Sequence, residues 1–153
     1  MVFELPKEVY SPSQVGALLR ELAEYREAVG EAQRVKKVTG KAKALPEESV
    51  VLHELTKGST DDAFLAELEQ NLRNVADKPC VSVTLPGLPT ERLKLEIVSW
   101  FRRLSPTVLV SFITDRTLAG GIVVRTEHTL HDWSWRRRLW ENRQALARIA
   151  TDV

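Results

Sequence analysis

The chain has 153 residues, 43% of them apolar and 28% charged, with a mean hydropathy of −0.21. That composition excludes a disordered tail or fibrous repeat, and no run reaches the ~18 apolar residues that a bilayer crossing needs. One cysteine, Cys80, forms no internal disulfide; with neither a basic leader nor an Arg-rich transit pattern in the opening residues, a reducing, cytosolic setting is expected.

The formal net charge of +1 hides an asymmetry. Residues 1–78 carry 11 Lys or Arg against 14 Asp or Glu, and residues 79–153 carry 11 against 7, so the second part is basic. All four tryptophans also lie there.

Ser11, Pro12, Ser13, Gln14 reads as a helix start: a serine cap, a proline at the first helical position and a glutamine that closes a capping box. Val15, Leu18, Leu19, Leu22 and Val29 then follow a helical stripe. Gly30 permits a break, and residues 33–44, rich in lysine, read as a solvated short helix or loop. Pro46 to Leu55 is a second helical pattern, ended by Lys57 and Gly58. Ser59 or Thr60 is expected to cap a third helix with Asp61 and Asp62 in its first turn and Phe64, Leu65, Leu68, Leu72 and Val75 on its apolar face. Residues 1–77 thus form a helical module.

At Pro79 the apolar period changes. Cys80 to Leu85 reads as a strand; Thr90 caps a helix whose Leu93, Ile97, Trp100, Phe101 and Leu104 point one way. Thr107 to Thr114 and Ala119 to Thr126 read as strands, and Thr129 to His131 as a short return that makes a hairpin. Asp132 or Ser134 caps a last helix to about Ala150. Residues 78–153 are therefore an α+β module of βαββα type, joined to the first without a flexible linker, so that the two touch.

Chemistry is sparse. His128, His131 and Asp132 lack the further ligands of a tetrahedral metal site, and turn or strand-end solvation is the simpler reading. Cys80 has no base beside it in sequence and reads as a small apolar strand residue rather than a nucleophile. Gly120 and Gly121 lack the wider spacing and following lysine of a phosphate loop, so a bulge or a close backbone approach is expected, and no cofactor. Around Trp133 to Trp140 the 3.6 period puts Trp135, Leu139, Leu146 and Ile149 on one stripe and Trp133 and Trp140 on another. Either both stripes fill the core, or Trp133 and Trp140, with Arg137 beside them, anchor a partner; exposure decides. Arg136, Arg137 and Arg138 point in three directions, which makes nucleic-acid binding through this helix the alternative and weaker function.

The run from Asp115 through Leu118, Gly120 and Gly121 to a Val/Ile strand ending at Arg125 resembles the delta subunit of F-type ATP synthases, the oligomycin-sensitivity-conferring protein of mitochondria. Asp132, Ser134, Arg136 and Leu139 continue that pattern without a gap, and the resemblance covers about 70 residues well. It implies a non-catalytic stator connector, not an enzyme, with the helical module on the alpha subunits of the head and the α+β module on the b stalk. It also implies peripheral association, through the complex, with the cytoplasmic face of a bacterial plasma membrane, support of proton-driven ATP synthesis, no cofactor, no nucleic acid and no homo-oligomer. The helical region is shorter than the family's bundle of about six helices. Trp133 stands in place of a glycine and Trp135 in place of a small apolar residue, which implies an altered stalk groove or a differently packed last helix. The hairpin turn at Glu127 and His128 lacks the residues that adopt positive φ easily.

Overall fold

The computed structural model describes residues 3–41, 43–144 and 147–148. It is a mixed α/β structure in which three helices, α1 (Pro12–Thr39), α2 (Val50–Thr56) and α3 (Asp62–Ala76), precede a four-stranded sheet. The sheet comprises β1 (Cys80–Leu85), β2 (Leu109–Thr114), β3 (Val123–Arg125) and β4 (Leu130–Asp132). Helix α4 (Glu91–Leu104) crosses from β1 to β2, and α5 (Trp135–Glu141) follows the hairpin.

Helix α1 starts as the sequence requires: Ser11 accepts from the Gln14 amide, and the Gln14 side chain accepts in return from the Ser11 amide. It does not break at Gly30. A glycine inside a helix costs about 1 kcal/mol, which the helix formers on either side offset, and the left-handed residue that ends the helix is Gly40 at φ 69°. Helix α2 begins later than its sequence pattern suggests, because the Ser49 hydroxyl caps the Leu52 amide while Glu21 of α1 accepts from both the amide and the hydroxyl of Ser49. Asp61, rather than Ser59 or Thr60, caps α3 through the Ala63 amide, leaving Asp62 in the first turn. On α3, Leu65, Leu68, Leu72 and Val75 are buried, whereas Phe64 is partly exposed.

Arg26 of α1 spans to α3, donating to Asp62 and Glu69, and Arg73 also reaches Glu69. The Arg26 hydrogen bond, reinforced by Arg73 and opposed by burial, holds the Glu69 carboxyl below the usual glutamate range. A carboxyl with a lowered folded pKa binds fewer protons folded than unfolded. Its stabilisation is complete above the unfolded value and is lost as pH falls through the folded one. The thermal midpoint of the wild type is therefore expected to fall more steeply between about pH 5 and pH 3 than that of Glu69→Gln, measured by circular dichroism.

The sheet order is β2-β1-β3-β4, with β1 parallel to β2 and antiparallel to β3, and β3 antiparallel to β4. A parallel neighbour needs a crossover, and α4, capped by Thr90 as expected, supplies it. The return strand is a full ladder partner, which makes the second module βαβββα rather than βαββα. Val81 and Val83 of β1, Val110 of β2, Val124 of β3 and Val98 of α4 form one apolar cluster. Val98 is the buried residue of α4; Trp100, at 55% exposure, and Leu104 are not core residues despite their place in the apolar pattern.

A second, larger cluster gathers Leu5, Val9 and the inner faces of the first three helices, and it includes Leu109 of β2. Alternation along a strand sends neighbours to opposite faces, so Leu109 enters the helical cluster while Val110 enters the α4 cluster, both without exposure. The start of β2 is the shared wall of the two cores. The segment before α1 straps across the same joint. The Val110 amide donates to the Tyr10 carbonyl at 2.7 Å, the Tyr10 ring meets Phe112 edge-on, and Arg102 of α4 donates to the carbonyls of Leu5, Pro6 and Val9.

Candidate partner-binding surface

After β2 the Asp115 carboxylate accepts from the Thr117 amide and hydroxyl at 2.8 and 2.7 Å, winding residues 116–118 into a single 3₁₀ turn. These hydrogen bonds hold its carboxyl below the ordinary aspartate range. Leu118 is buried at 1% exposure and pins the turn. The chain then passes through three left-handed or glycine-only conformations, Ala119 at φ 57°, Gly120 at φ 155° and Gly121 at φ 80°. These residues fall outside the strand expected over Ala119 to Thr126, and β3 starts only at Val123 because positive φ angles cannot continue a ladder.

The two glycines are sites of close approach. A Cβ on Gly120 would stand 2.8 Å from the Trp135 ring, and one on Gly121 would strike the Trp133 carbonyl oxygen and reach within 3.0 Å of Ser134 Cα. The Trp133 amide donates to the Ile122 carbonyl and the Trp135 amide to the Gly120 carbonyl, so the backbone after β4 is laced to the glycine segment. Ser134, wholly buried, caps α5 through the Arg137 amide, and Asp132 in turn accepts from the Ser134 amide at 2.9 Å. The hydrogen bonding from Ser134 lowers the Asp132 pKa. Arg136 closes the ring by donating to the Thr117 hydroxyl at 2.9 Å, with Asp115 4.0 Å away.

Seven of the motif positions, Asp115, Leu118, Gly120, Gly121, Asp132, Ser134 and Arg136, therefore belong to one structural node where the turn, the hairpin and the start of α5 meet. Arg125 and Leu139 do not join it. Arg125 sits on β3 opposite Ser82 and Leu130, and Leu139 is half exposed on α5. Thr117, which serves both Asp115 and Arg136, has no signal in the sequence beyond its place two residues after an aspartate. The hairpin needs no left-handed turn residue. Thr126 and Thr129 clasp it through a backbone bond of 2.9 Å and paired hydroxyls at 2.6 Å, and neither Glu127 nor His128 has a positive φ.

Helix α5 has no buried residue. Trp135, at 56% exposure, and Leu139, at 52%, are not core residues, and Trp133 and Trp140 are exposed at 51% and 67%. Leu146, Ile149 and Ala150, expected on the same helix, lie outside the described residues. Trp133 stacks on His131 of β4, with ring centres 5.3 Å apart and planes 8° from parallel. Trp140 lies instead in a groove lined by Thr117, Ala119, Arg136, Leu139 and Arg143, whose guanidinium sits 4.5 Å over its ring. Arg137 borders the same groove and pairs with Glu141 at 2.7 Å. With Trp100 on α4, all four tryptophans of the chain are more than half exposed.

His128 lies in the exposed turn beside Glu127, and no group of three or more metal-ligating side chains occurs among the described residues. Cys80 is half-buried against the helical cluster, and burial pushes its thiol pKa up, away from the reactive thiolate. No protein-family model matches the sequence, and no curated protein is significantly similar to it.

Proposed function

We propose that the protein is a non-catalytic connector in the peripheral stalk of an F-type ATP synthase, joining the alpha subunits of the head to the b stalk and so supporting proton-driven ATP synthesis. The observation that carries this reading is the node just described. Seven of the nine residues by which the sequence resembles the delta family lock the turn, hairpin and closing helix together, beneath a surface that leaves Trp133, Trp135 and Trp140 uncovered. Large exposed apolar residues grouped on a small module favour a permanent neighbour.

The mechanical requirement agrees with it. A stator must resist torque through wide noncovalent contacts and must not yield between its two attachment sites. Leu109 and Arg102 tie the helical and sheet parts to each other, so force applied at one is carried to the other. Among the described residues no helix is long and apolar enough to cross a membrane, consistent with attachment through the complex at the cytoplasmic face of a bacterial plasma membrane. The test is reconstitution. Bacterial membranes depleted of this protein are expected to lose proton-driven ATP synthesis and regain it when the purified chain is added back with the catalytic head; unchanged synthesis after depletion contradicts the proposal.

A further inference from the structure

We infer that the protein associates with a second copy of itself, the lysine-rich end of α1 in one copy entering an acidic groove between the opening segment, α2 and α3 of the other. Helix α1 outruns its core. Its last buried residue is Val29, and among the described residues its last hydrogen bond to another element runs from Gln33 to the Thr60 carbonyl, yet the helix continues to Thr39. Every residue from Gln33 to Lys41 is exposed, Val35 and Val38 among them. Positions 32–46 hold Arg34, Lys36, Lys37, Lys41 and Lys43 and no acid, whereas the remaining residues of 1–78 carry six Lys or Arg against 14 Asp or Glu. Of those five cations only Lys43 is in an ion pair among the described residues, with Glu31.

The counterpart is a groove of about 810 Å³ with Phe3, Leu55 and Phe64 among its apolar lining. Its charged lining is four carboxylates, Glu4, Glu8, Glu54 and Glu67, against Lys7 and Lys57. None of the four carboxylates makes a hydrogen bond or ion pair among the described residues. Unpaired acids around apolar side chains select a basic segment that also carries aliphatic side chains, and the chain supplies one. Val35 and Val38, three positions apart, share a side of the arm, and the long cations around them can reach the acids while the valines meet the apolar lining. The arm is a stiff extension of about 15 Å beyond Val29, carried past Thr60 by a continuous helix, so the groove it enters belongs to another molecule. Arm and groove are different surfaces, and a closed pair forms when each arm enters the groove of the other copy. A nucleic acid or an anionic lipid surface would account for the arm and leave the acidic groove without a role; a second copy accounts for both. The inference concerns the free chain and does not draw on the connector reading.

Sedimentation equilibrium of the full chain, from about 5 to about 300 μM, tests it. Reversible association is expected at about 50 mM salt and at least tenfold weaker association at about 500 mM, because the attraction is between exposed charges. The arm variant Lys36→Glu/Lys37→Glu and the groove variant Glu54→Lys/Glu67→Lys are each expected to associate at least tenfold more weakly than wild type. Mixed in equal amounts they are expected to recover association, since each arm then meets a groove of opposite charge. Arg103→Glu/Arg138→Glu, which makes the same change in net charge away from both surfaces, is expected to stay within twofold of wild type, and circular dichroism verifies that every variant keeps its fold. A chain that remains monomeric throughout at low salt, a mixture that does not recover, or an equal loss in the Arg103→Glu/Arg138→Glu control would each overturn the inference. So would loss of association in Trp140→Ala with the arm and groove variants unaffected, which would move the contact to the α5 surface, or dissociation of the pair by an equimolar single-stranded oligonucleotide or by phosphatidylglycerol vesicles, which would assign the arm to a polyanion.

Discussion

Leu109→Ala is expected to cost about 2–5 kcal/mol, the range for removing a fully buried leucine, and to weaken both parts of the molecule at once. Leu109 has no exposed surface, its backbone pairs with Cys80 in the sheet, and its side chain lies in the helical cluster. The cavity therefore opens in a wall common to two cores. Every tryptophan lies between positions 100 and 140, so indole fluorescence reports the sheet part, whereas far-ultraviolet circular dichroism is dominated by the helices. In urea titrations the two signals of the variant are expected to move together to a lower midpoint. Leu65→Ala, buried within the helical cluster alone, provides the comparison. A loss below about 1 kcal/mol, or two separated transitions, would show that Leu109 does not couple the parts.

Gly121→Ala is expected to cost about 3 kcal/mol through two additive effects, a left-handed conformation worth roughly 1–2 kcal/mol and an overpacked contact worth a similar amount. The atom in the way is a backbone carbonyl, that of Trp133, and its own residue is tied to Ile122 through the amide, so the clash cannot be relieved by turning a side chain. Gly120→Ala is milder. It too forces an alanine into a positive φ, of 155°, but its new methyl meets the ring of Trp135, a half-exposed side chain, where that of Gly121 meets backbone. Denaturant midpoints of the two variants are expected to rank wild type above Gly120→Ala above Gly121→Ala. A Gly121→Ala protein within about 0.5 kcal/mol of wild type contradicts the node geometry.

The elements that could be read from the sequence are those fixed by local chemistry. The Ser11 to Gln14 box and the Thr90 cap form as their residue types require, because the partners of each interaction lie within a few positions; the six residues of β1 were legible from their own apolar alternation, although their ladder partners on β2 and β3 lie far along the chain. Elements decided at a distance were less legible. Gly30 stays helical, Ser49 becomes a cap because Glu21 of another helix holds it, and Val98 rather than Trp100 faces the sheet because the crossover sets the roll of α4. Apolar period alone does not distinguish Leu109 from Val110, which enter different cores.

The candidate surface divides the same way. The glycine pair announced a close approach, but not that the neighbours would be Trp133 and Trp135, and the capping role of Ser134 was legible only as one of two options. Of the stripes expected on the last helix, Trp133 lies before α5 and stacks on His131 apart from Trp140, Leu146 and Ile149 lie outside the described residues, and period never shows what covers a side. Arg102, which gathers three carbonyls of the opening segment, has only the sequence signal of one arginine among several.

Native mass spectrometry of the complex that copurifies with this chain from detergent-solubilised native membranes tests the connector role most directly. The predicted result is a particle in which one copy of the chain remains bound to ATP synthase alpha and b subunits, and loses the b subunit first when the node is weakened by Gly121→Ala. Recovery of the chain free of every ATP synthase subunit, under conditions that keep the head and stalk together, would contradict it.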